Sequence, residues 1–137
     1  MRTIFWPSAE DAELIVVDFI KLDGESRSLK LLVDSGFTGG SSFVLGTDAL
    51  DLVRAEYDPA EVVGAIHGQQ NRSWVTCRMP AVRFQRTRIA IITDTATLSL
   101  PDGVHGLAGL TFLRQFLRWG ATQTDGAWEF FLSEGKD

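Results

Sequence analysis

The apolar positions of this chain fall in short runs separated by turn residues, a pattern of strands rather than of long helices. Glu13 to Ile20 (ELIVVDFI) is rich in β-branched residues, and Ser28 to Val33 (SLKLLV) alternates before becoming continuously apolar. Between them KLDGESR carries Asp23-Gly24, a strong hairpin signal, so the spacing predicts an antiparallel hairpin that delivers Asp34 at the end of its second strand. Ser42 to Leu45 is a short apolar stretch, and in TDALDLVRA either Thr47 or Asp48 caps a brief helix through Val53. Strand character returns in EVVGAI from Glu61 and in SWVTCRM from Ser73, with the polar tip HGQQNR between them, which predicts a second hairpin. Ala81 to Phe84 and Thr87 to Thr93 read as further strands, and Ala96 to His105, with Pro101 and Gly103, as loop. In GLAGLTFLRQFLRW the residues Leu110, Leu113, Phe116 and Leu117 recur at helical spacing and predict a short amphipathic helix. A turn at Gln123 to Gly126 and a closing strand at Ala127 to Leu132 complete a mostly β chain with one or two short helices. The two halves share a loose plan of strand, strand, glycine-containing turn and short helix.

At 137 residues the chain fits a single domain over 1–137, so an active site is either small or shared. Hydrophobic residues at 45% and charged residues at 23% are those of a globular domain. A net charge of -5 argues against a nucleic-acid partner, and Arg83, Arg86 and Arg88 read as a solvated strand end and turn. Cys77 is the single cysteine, which excludes an intrachain disulfide and a multi-cysteine metal site. The opening MRTIFWPSAEDAELIVV has neither the apolar core nor the cleavage site of a secretory signal, and no apolar run approaches the roughly 18 residues of a membrane span. A cytoplasmic protein without a membrane partner is expected.

Chemistry concentrates in Val33-Asp34-Ser35-Gly36. An acid, a hydroxyl and a glycine end an apolar strand there, so the carboxylate must enter a polar cleft or be satisfied internally. Such a triplet in isolation is also a common turn.

Its context supplies more. LLVDSGFTGG resembles the active-site segment of retropepsin-like (clan AA) aspartic peptidases, particularly small bacterial members with Phe-Thr-Gly after the triplet. VDFIKLDGESRSLKLLVDSG is similar to that family's hairpin leading into the catalytic loop, VVGAIHGQQNRSWVTC to its flap, and GLAGLTFL to its apolar-apolar-glycine turn and helix. Gly109 lies 75 positions after Asp34 with the flap candidate between them, in the order of the family, and the likeness covers most of the chain.

The resemblance implies a retropepsin-like acid protease fold, a closed or partly open β-barrel. It also implies an aspartic endopeptidase acting on an extended peptide or protein, with no metal or organic cofactor. Aspartic peptidases need two close carboxylates sharing a proton. One Asp-Ser-Gly loop per chain therefore implies a homodimer in which each copy contributes Asp34. The family assigns Ser35 to hydrogen bonds across the twofold axis and Gly36 to close backbone approach. Ala65, Ile66 and Gly68 of a flap over Val63 to Arg72 would lie on substrate, and Phe37, Thr38, Leu107 and Ala108 would wall its pockets. His67, at the hairpin tip, would contact substrate or tune the acids, or is simply solvated. Viral members usually carry an acidic pair at the positions of Thr38-Gly39 and an Arg at that of Leu110, groups that grip the substrate main chain and brace the dimer. The rival reading is a catalytically inactive dimeric binding module on the same fold. A monomeric barrel, in which Asp34 pairs only with local backbone, is a third. Asp94 lacks the glycine that would shape a second catalytic loop, GFTGGSS has no Walker lysine, and no Gly-x-Ser-x-Gly elbow occurs.

Overall fold

The computed structural model describes residues 1–59 and 71–136. Its strands are β1 (Thr3–Pro7), β2 (Leu14–Ile20), β3 (Ser26–Asp34), β4 (Phe43–Leu45), β5 (Ala55–Pro59), β6 (Asn71–Met79), β7 (Phe84–Ile92), β8 (Gly106–Gly109), β9 (Phe116–Thr124) and β10 (Ala127–Gly135). One α-helical turn, α1 (Leu110–Leu113), and short 3₁₀ turns at Thr47–Leu52, Pro80–Val82 and Thr95–Leu98 complete the described elements.

Six strands in the order β2-β3-β8-β4-β7-β6 close into a barrel because β6 returns to pair with β2, while β5 extends along the other part of β6. Closure removes the open edges that would otherwise template aggregation. The predicted first hairpin forms as β2 and β3, turning at Gly24 (φ +90°), where a left-handed backbone favours glycine. Alternation sends Ile15, Val17 and Phe19 of β2 and Leu29 and Leu31 of β3 inward. The short strands β4 and β8 and the end of β7, Ala90 to Ile92, are apolar because both of their faces are covered. Phe43, Leu45, Ala90, Ile92 and Ala108 enter the main core, whereas Val44, Ile91 and Leu107 form a second cluster on the opposite face.

The core centres on phenylalanines. Phe112 lies 5.0 Å from Phe43, 5.9 Å from Phe84 and 5.1 Å from Phe116 between ring centroids, and Phe84 stacks on Phe116 at 4.6 Å. That cluster overrides the expected helix over 110–117. The helix stops at Leu113, and Phe116 and Leu117 open β9, which runs antiparallel to β10 from Phe116↔Gly135 to Thr124↔Ala127. Residues spaced three and four apart can satisfy a helix, but a nine-residue ladder offers this segment more hydrogen bonds. Two other expectations change. Ala81 belongs to the 3₁₀ turn, so Phe84 starts one continuous strand, and β5 forms where no strand was anticipated.

A separate sheet in the order β1-β10-β9 lies beside the barrel. The closing strand is therefore its centre, paired on both sides, and β1 and β9 are the edges of this sheet among the described residues.

Cys77 is fully buried in β6, and loss of solvation pushes its thiol up from 9.0 to about 12. We expect a thiol-specific disulfide reagent at neutral pH to leave Cys77 unmodified in the native protein and to label it on denaturation. Because the folded pKa is raised, the stabilisation from keeping this thiol neutral is complete below about pH 9 and is lost as pH rises toward about 12. Rapid native labelling at pH 7 would contradict this burial.

Candidate active site

Asp34 is the last residue of β3 and stands in register with Gly109 of β8, the two strands running parallel. The apolar sequence before it places β3 inside the barrel wall, and the chain turns at Asp34 because Phe37 N donates to Asp34 O at 3.1 Å. Asp34 Oδ1 accepts from Gly36 N at 3.0 Å, an Asx-type bond that orders the loop. The carboxylate is half-buried. Within one chain its bonding is thus to local backbone, which suits an isolated barrel and half of a shared site equally.

Ser35 is exposed, and among the described residues its hydroxyl makes no hydrogen bond. A Cβ on Gly36 would sit 3.2 Å from Asp34 Oδ1, so glycine keeps space beside the carboxylate. Two further bonds tie the loop to the β8–α1 corner: Leu110 N donates to Phe37 O at 2.9 Å, and the Thr111 hydroxyl donates to Gly39 O. Gly109 is required by this packing, since a Cβ there would lie 2.4 Å from Phe37 Cδ2 and 2.8 Å from Phe37 O. Gly109 N in turn donates to Ser42 O at 3.0 Å, so the Asp34 loop, β4 and β8 form one bonded unit. The two sequence motifs 75 positions apart are brought together by direct contact.

The pocket residues separate. Phe37 packs against the second apolar cluster with Leu32, Leu98 and Leu100, around Leu107, which is 7% exposed. Thr38 is exposed on the loop. Ala108 is 0% exposed within the main core. Its side chain lies in the barrel interior, because β8 alternates and Leu107 takes the other face. The flap expectation over Val63 to Arg72, with Ala65, Ile66, His67 and Gly68, falls largely on residues 60–70, outside the described residues. Asp94 is spent locally, its Oδ1 accepting from Ala96 N at 3.0 Å at the head of a 3₁₀ turn.

Sequence reading missed the other wall. Asp34 opens on a cleft of about 580 Å³ lined also by Ser8, Ala9, Glu10, Asp11, Ala12, Glu13, Leu32, Val33 and Trp128. Glu13 is carried there because its carbonyl accepts from Val33 N at 2.9 Å, extending the β2–β3 ladder by one pair. Neither Glu10, Asp11 and Glu13 nor Trp128, 55% exposed in the structure, carries a local sequence signal that places it beside Asp34.

Neither a protein-family model nor a curated protein sequence matches the chain. Among solved structures it is similar to the crystal structure of a retropepsin-like aspartic protease from Rickettsia conorii. The identity is 16%, the TM-score 0.54, and the match covers 95% of this chain and 91% of that one. This chain therefore has a retropepsin-like fold, mostly β and closed into a barrel, with Asp34 and Gly109 meeting in its wall.

Proposed function

We propose that the chain is an aspartic endopeptidase that works as a homodimer, with Asp34 as the catalytic residue of each copy. The observation that carries the reading is the arrangement at the end of β3. A carboxylate at the mouth of an open cleft is followed by a hydroxyl with no partner among the described residues and by a glycine that keeps the approach clear. In a twofold dimer the two Asp34 carboxylates would share one proton, since two like charges that close do not both ionise. The ionised carboxylate would take a proton from water as that water attacks the scissile carbonyl, while the protonated one donates to the carbonyl oxygen. The resulting tetrahedral intermediate collapses with proton transfer to the leaving amine, and no covalent enzyme adduct forms. Ser35 would bond across the axis, and Phe37, Thr38 and Leu107, together with Leu32, Leu98 and Leu100, would contact substrate side chains.

The bonding within one chain refines the proposed interface. β10 is paired on both sides, so intersubunit pairing through this sheet would use the open edge of β1 or of β9. Sedimentation velocity over a dilution series, with peptide cleavage measured on the same samples, tests the dimer. We expect specific activity to follow the dimer fraction. A species that remains monomeric and fully active at every dilution would reject the shared site.

A further inference from the structure

We propose that the concavity at the β6–β7 turn is a binding site for an acidic peptide segment, with Arg78, Arg83 and Arg86 holding its carboxylates. The three arginines line one space of about 520 Å³ together with Pro80, Phe84 and Gln85, and no acidic residue lines it. Its lining shares no residue with the Asp34 cleft. The inference stands whether or not the chain is a peptidase.

Three cations converging without a counter-ion repel one another, and a protein of net charge -5 has carboxylates to spare. None is used here. Among the described residues no carboxylate lies within 4.0 Å of any of the three guanidiniums. Asp18, opposite Arg78 across the β2–β6 ladder, instead accepts from Ser28 Oγ at 2.5 Å. Arg78 Nε is buried and makes no hydrogen bond, a donor whose desolvation is unmatched within the chain. A carboxylate bound in this space would supply the missing counter-charge.

The backbone adds an independent sign. Arg83 occupies the left-handed region (φ 54°, ψ 43°), where glycine would be unstrained and a long side chain is not. Arg86 is held in place, donating to Gln85 O at 2.9 Å and to Lys136 O, with its guanidinium 5.3 Å from the centroid of the Phe84 ring. An ordered guanidinium loses little freedom on binding, and its planar fork matches a carboxylate. The space is larger than one inorganic oxyanion fills, and Pro80 and Phe84 give it apolar walls for the aliphatic stems of Glu side chains. These features favour a peptide over free phosphate, and the net charge disfavours a nucleic acid.

The test titrates isotope-labelled protein with a short acetylated and amidated Glu/Asp peptide. Its Gln/Asn twin, inorganic phosphate and a single-stranded oligonucleotide are run in parallel. We expect saturable shifts of the guanidinium resonances of Arg78, Arg83 and Arg86 with the acidic peptide alone, weakening as salt is raised. Arg83→Gly relieves the left-handed strain, so it should raise Tm and weaken binding about fivefold, while Arg83→Gly/Arg86→Gln weakens it more than about tenfold. A purely structural role would not separate stability from binding in this way. The proposal is overturned if the acidic peptide fails to saturate, if its Gln/Asn twin binds equally, or if the double variant binds unchanged. Phosphate alone matching the peptide would overturn it too, as would an oligonucleotide binding more tightly.

Discussion

Asp34→Asn is expected to abolish peptide cleavage, by at least about 10³-fold, while leaving the fold intact. The substitution keeps shape and keeps an oxygen to accept from Gly36 N, the bond that orders the loop. Stability should therefore change by no more than about 0.5 kcal/mol, as for an accessible position outside the core. What disappears is the group that takes or gives a proton. Purified wild-type and variant protein are compared on a diverse peptide library from acidic to neutral pH, with thermal unfolding of both. Mixing makes the experiment sharper. If each active unit needs two Asp34 residues, an equimolar, freely exchanging mixture at constant total protein retains about one quarter of the wild-type activity, whereas independent monomers retain about one half. Equal cleavage by both pure proteins would remove Asp34 from the chemistry. Retained peptide binding without any cleavage by the wild type would support the binding-module reading instead.

The largest expected loss of stability follows Phe112→Ala. Phe112 is 0% exposed and touches three other phenylalanines, Phe43, Phe84 and Phe116, at centroid distances of 5.0, 5.9 and 5.1 Å. Truncation removes the ring's burial and leaves a cavity between β4, β7 and the start of β9, for a cost of about 3–5 kcal/mol. Against a total of about 5–15 kcal/mol that is a large fraction. It corresponds to a fall in Tm of roughly 10–20 °C for a domain of this size. Because Phe112 sits in α1, three residues after Gly109, the same change loosens the corner against which the Asp34 loop is packed. Denaturant midpoints at unchanged slope measure the effect, and a loss below about 1 kcal/mol would mean that the cluster does not anchor α1 as described.

The β2–β3 hairpin and the position of Asp34 at its end were legible because alternation, the Asp23-Gly24 turn and the run LLV are local signals, each set by neighbours within a few residues. The likeness of LLVDSGFTGG and GLAGLTFL to one family pointed in addition to the fold, since it tied two segments whose contact no local pattern reveals. Composition and charge narrowed the class further.

Other features had no local signature. Leu110, Leu113, Phe116 and Leu117 have helical spacing, yet the chain leaves the helix after Leu113, where the packing of Phe116 on Phe84 and the β9–β10 ladder take over. Ala108 and Leu107 are adjacent and both apolar, but strand alternation sends one into the core and the other toward the surface cluster. The wall of the Asp34 cleft made by Ser8 to Glu13 and Trp128 joins residues more than 100 positions apart. Arg83 and Arg86, which read in sequence with Arg88 as a solvated strand end and turn, share one space with Arg78 only because β6 and β7 pair across it. The first hairpin, its turn chemistry and the carboxylate at a strand end were readable from the chain alone, because those depend on short-range sterics and burial. Tertiary structure decided which faces are buried and which distant side chains meet, because barrel closure and register are long-range properties that no short window of residues contains.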